Sequence, residues 1–68
     1  MSRRSLRRGQ KVRWSSHGQT VKGTVKRKLS RRTEAAGRTV AASPGEPQYV
    51  VASDKTGREA VHKPEALS

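Results

Sequence analysis

Two histidines and five carboxylates are the chain's stock of side chains for acid or base work near neutral pH. Catalysis needs a nucleophile, a base and a group that orients the base, all brought together in one pocket. His17 falls in a turn cluster and His62 at a strand end beside Lys63-Pro64, so both read as structural. The five acids are dispersed over loops and strand edges, with no local pair of the kind that divides acid and base roles. Cysteine is absent, and two isolated histidines make no metal-ligand spacing. Gly18–Thr24, GQTVKGT, echoes a phosphate-binding loop, but Thr24 stands where the lysine belongs and a strand follows instead of a helix. The chain reads as non-catalytic, with no cofactor and no metal.

Positive charge is what it has in quantity. The formal net charge is +11, and its distribution is uneven: residues 1–32 hold twelve Lys or Arg and no acid, residues 33–68 four against five. Such a split points to a polyanionic partner or to a solvated, solubilising surface. The cations that could contact phosphates are Arg3, Arg4, Arg7 and Arg8 at the N-terminus, then Lys11, Arg13, Lys22, Lys26, Arg27, Lys28, Arg31 and Arg32. Almost no aromatic side chain is interleaved among them, which argues against base stacking and against sequence readout.

The elements that must position these residues follow from periodicity. Val12 and Trp14 alternate with Lys11 and Arg13, so a strand sends the two pairs to opposite faces. Ser15-Ser16-His17-Gly18 reverses the chain. On the return strand Val21, Gly23 and Val25 take one face and Lys22, Thr24, Lys26 and Lys28 the other, giving a hairpin with an apolar inside and a basic outside. Ser30–Gly37 reads as a polar loop and Arg38–Ala42 as a short strand centred on Val40. Ser43-Pro44-Gly45-Glu46-Pro47 ends it, since two prolines and a glycine cannot continue a ladder. Gln48–Ser53 is a strand with both faces covered, Tyr49 and Val51 on one and Val50 and Ala52 on the other. The turn Asp54-Lys55-Thr56-Gly57 leads into a fifth strand, Arg58–His62, and Lys63–Leu67 closes the chain with Leu67 over the open end of the core. Met1–Arg8 has too few apolar groups to bury and reads as a disordered basic arm preceding a domain over residues 9–68. A chain of 68 residues supports one small domain, burying roughly 60% of its unfolded surface.

Four blocks carry a resemblance: GQKVRW at Gly9–Trp14, VKGTV at Val21–Val25, PQYVVASDKTG at Pro47–Gly57 and HKPEAL at His62–Leu67. Together they resemble the hypervirulence-associated Tudor-domain family. The resemblance implies an all-β fold, a small five-stranded, strongly bent SH3-like barrel of the Tudor type, and brings no biochemical role with it. The bend required of the long second strand fits Gly23, where a missing Cβ permits it.

Three functional readings stand beside one another. The first is weak, sequence-independent nucleic-acid binding through phosphates on the basic hairpin face. The second is a protein-interaction module that takes a peptide or partner protein in a groove near Trp14 and Tyr49 or at a barrel edge. Two rings make at most an open groove, too little to enclose a methylated cation, and Trp14, in phase with Val12, reads first as core. The third is contact of the arm with anionic lipid. MSRRSLRR is followed by no apolar segment, so a soluble, cytoplasmic monomer without a transmembrane span is expected.

Overall fold

The computed structural model describes residues 6–68. Three antiparallel hairpins follow one another: β1 (Lys11–Ser16) with β2 (Gln19–Leu29), β3 (Thr33–Ala35) with β4 (Arg38–Val40), and β5 (Gln48–Ser53) with β6 (Glu59–His62). A 3-10 turn at Pro64–Ala66 ends the chain's regular structure. β1, β2, β5 and β6 form one sheet in that order, and β3 and β4 a separate two-stranded one. Past the 3-10 turn the chain crosses to the outer edge of β1, where the Ser68 N–H donates to the Arg13 carbonyl at 2.9 Å and the Arg13 N–H donates back to Ser68 at 3.0 Å. The sheet is thereby curled toward closure, as a Tudor-type barrel requires. No helix among the described residues is long and apolar enough to cross a membrane.

The first hairpin turns on His17-Gly18, both at positive φ, the geometry whose twist matches paired strands. Ala36-Gly37 repeats that geometry between β3 and β4. The stretch read from sequence as a polar loop is therefore half of a hairpin, and the described residues hold six strands where five were expected. Alanine is an uncommon residue at positive φ, so Ala36 hid the turn.

Register places every apolar residue of the sheet. Val12 faces Gly23, Trp14 faces Val21, Val25 faces Val51 and Val51 faces Ala60; cross-strand partners project to one face. On that face Val12, Trp14, Val25, Tyr49 and Val51 pack with Leu6 and Leu67 in a first core. On the opposite face Leu29, Val50 and Val61 pack beneath Ala35, Val40 and Ala42 of the second hairpin and its exit. β5 is thus buried on both sides, and Leu67 covers core, as its sequence pattern required.

Two features differ from expectation. The ladder between β2 and β5 shifts register between Val25 and Arg27, so Lys26 is an extra, bulged residue. After the bulge the alternation inverts: Leu29 lies on the face of Val50, and Lys28, paired with Tyr49, moves to the side opposite Lys22. Leu6, assigned by sequence to the disordered arm, is buried, and its N–H donates to the Tyr49 hydroxyl at 3.3 Å. The Arg7 N–H donates to Gln10 Oε1 at 2.9 Å, and the Gly9 N–H to the Val25 carbonyl at 2.7 Å. One leucine in an arginine-rich run gave no periodicity from which to read this. Arg3 and Arg4 lie outside the described residues.

Gly23 is required by a close approach more than by the bend. A Cβ there would overlap the six-membered ring of Trp14 and the Ala52 carbonyl, one a core side chain and the other backbone. Gly23→Ala should therefore cost about 1–3 kcal/mol, as overpacking of a filled core does. Urea unfolding followed by Trp14 fluorescence measures it, and an unchanged midpoint would contradict the packing described.

Candidate nucleic-acid interface

Strand register builds the basic face from four side chains. Arg13 stands directly across from Lys22 and Lys11 across from Thr24. Beyond the bulge Arg27 returns to this side of the sheet, paired with Val50. Arg13 and Lys22 form a non-hydrogen-bonded pair, because Arg13 gives its backbone bonds to Ser68 and the Lys22 carbonyl accepts the Asp54 N–H at 3.0 Å. In such pairs the Cα atoms are closest, about 4.5 Å apart. Two like charges directly opposite each other are destabilising unless something neutralises them. They overlook an open hollow of about 360 Å³ between the hairpin, Asp54 and Ser68.

Lys11 is held differently. Its ammonium donates to Asp54 Oδ2 at 3.2 Å and to Thr24 Oγ1 at 3.0 Å, while the Thr24 hydroxyl donates to Asp54 Oδ1 at 2.8 Å. The latch ties the start of the β5–β6 loop to the first hairpin and offsets one of the face's charges. The hydrogen bond from Thr24, then that from Lys11, holds the Asp54 carboxyl below its usual range.

The remaining cations of the sequence reading are not gathered on this face. Lys28 projects to the other side, Lys26 sits in the bulge, Arg31 and Arg32 are exposed in the loop after β2, and Arg7 and Arg8 are exposed before β1. Arg38, given no part by sequence, donates from its guanidinium to the Val61 carbonyl at 3.2 Å.

The paired-ring groove does not form. Tyr49 is 1% exposed and lies inside the first core with Val25 and Val51; on a strand covered on both faces its ring has no route to solvent. Trp14 is buried too, but it lines an open groove of about 690 Å³ whose other apolar lining residues are Val21 and Ala60. His62 packs on Trp14 with ring centroids 5.4 Å apart. Burial, and then the charge of Arg38, lowers its pKa, so the imidazole against the indole is neutral at pH 7.

The latch has a pH signature. Asp54 is more acidic folded than unfolded, so its contribution is complete above the unfolded value of 3.8 and is lost as pH falls through the lower folded value. In Asp54→Asn this part of the acid loss should be missing below about pH 4, and raised salt should shrink the difference between variant and parent, because the pair is exposed. Unfolding midpoints from pH 2 to 6 decide it; acid limbs of identical shape would refute the latch.

The comparisons with known proteins bear on the whole domain. The family model described as the hypervirulence associated proteins TUDOR domain matches residues 9–67. Comparison with the curated proteins and with the solved structures finds no match. A small binding module is what a Tudor-type domain suggests. On a match that spans nearly the whole chain, the protein belongs to the Tudor-domain family of hypervirulence-associated proteins.

Proposed function

We propose that this domain binds nucleic acid weakly and without sequence preference, through backbone phosphates held on the outer face of the β1–β2 hairpin. The observation that carries the reading is the Arg13–Lys22 pair: two cations set opposite each other at the closest spacing a sheet allows, over an open hollow. A phosphate between them removes their repulsion and takes charge-assisted hydrogen bonds from both. Arg27 extends the face along β2, and Lys26, in the bulge, is near enough for its charge to act on Asp54. Arg31, Arg32, Arg7 and Arg8 add field at longer range.

Readout of bases has no support in this arrangement. Both aromatic side chains of the basic half and of β5 are turned into the core, so no ring is offered to an unstacked base. Affinity would then come from counterion release, and it would be steep in salt.

With about four phosphates neutralised, binding of a 20-base-pair duplex should weaken roughly a hundredfold between 50 and 200 mM salt. Arg13→Gln with Lys22→Gln should reduce the salt slope by about two and leave the weaker binding equally indifferent to sequence. Fluorescence anisotropy of labelled duplexes at several salt concentrations measures both. No binding at 50 mM salt, or a double variant that behaves as the parent, would overturn the proposal.

A further inference from the structure

A second surface, on the opposite face of the sheet, has a different chemistry. Leu6 and Leu67 complete the first core, Leu6 meeting it at Tyr49, but toward the hairpin tips Val21 and Ala60 are only partly covered. With Trp14 they line the groove of about 690 Å³ between the β1–β2 tip and the β5–β6 loop. That volume falls within the range of about 300–1,000 Å³ typical of ligand sites. The charges around it are unequal. Lys55 and Arg58 stand on the walls, opposed by Glu59; Asp54, which also lines the groove, is already engaged by Lys11 and Thr24.

We infer that this groove takes a linear acidic peptide of a partner protein, with one aliphatic side chain seated on Val21, Ala60 and Trp14, and flanking carboxylates paired with Lys55 and Arg58. Charge complementarity selects this occupant: the walls carry a surplus of cations over a small apolar floor. A basic segment would meet the like charges of Lys55 and Arg58. A nucleotide base would find no ring face, since Trp14 is 7% exposed and its other side is packed in the core and against His62. The assignment does not rest on phosphate binding by Arg13, which lies on the other face.

Trp14 is the chain's only tryptophan and reports directly on the groove. The probe is a labelled Asp-Glu-Leu-Asp-Glu peptide, compared with its Leu→Ser version and with an unlabelled duplex. The peptide should shift Trp14 emission on binding, and the Leu→Ser version should bind at least about tenfold more weakly. Lys55→Glu with Arg58→Glu, both exposed positions outside the core, should weaken the peptide by about tenfold or more. Arg13→Gln should leave the peptide unchanged while it weakens the duplex. Equal binding of the two peptides, or a peptide unaffected by the Lys55 and Arg58 changes, would overturn the inference. So would a duplex that alone shifts Trp14 and loses that effect in the Lys55/Arg58 variant, which would give the groove to nucleic acid.

Discussion

One extra residue in the ladder between β2 and β5 decides what each side of this sheet presents. Before Lys26 the odd-numbered residues Val21, Gly23 and Val25 point to the side of Trp14 and Tyr49; after it Arg27 and Leu29 point to the side of Val50, where Leu29 joins the second core and Arg27 stays exposed. A strand with a continuous period of two would place Leu29 beside Val25 and leave the second core without its member from β2. It would also carry Lys28, not Arg27, onto the face of Arg13 and Lys22. The bulge thus supplies apolar cover to two cores and sorts the cations between two surfaces.

The contact of Trp14 with Gly23 fixes the other half of the arrangement. The indole lies over a position that admits no side chain, and this draws β1, β2 and the end of β5 together. Val21, the cross-strand neighbour of Trp14, is left at the margin of the core, where it lines the groove. On the other side of the same strands, Ser68 takes the outward backbone groups of Arg13 and Asp54 meets the Lys22 carbonyl, so the two side chains stand at the narrow spacing. Packing on one face and charge on the other are consequences of one register.

Much of this was legible in the chain because it obeys local rules. Alternation around Val12 and Trp14 gave the hairpin, the β-branched run of Gln48–Ser53 gave a strand buried twice over, and the Pro64 segment gave Leu67 its place. The four blocks of resemblance gave the barrel. What escaped depends on partners far away in sequence. Leu6 needs Tyr49 and the first core before it has anywhere to go, and the β3–β4 hairpin needs the second core beneath it. The bulge is set by a ladder in which neither strand announces the extra residue. The alternation of Tyr49 with Val51 on a strand covered on both faces requires the ring to be buried, which rules it out as a groove ring. Lys55 and Arg58 belong to the half of the chain without surplus charge, and only the fold brings them to the groove of Val21 and Ala60.

The central claim is that register, and not charge alone, selects the cations that meet phosphate. Amide chemical-shift changes on titrating a short duplex into the isotopically labelled protein at low salt test it most directly. The account predicts that they concentrate at Arg13, Lys22 and Arg27 and spare Lys28, one residue further along β2. Shifts of equal size at Lys28, or spread evenly over every lysine and arginine of the chain, would contradict it.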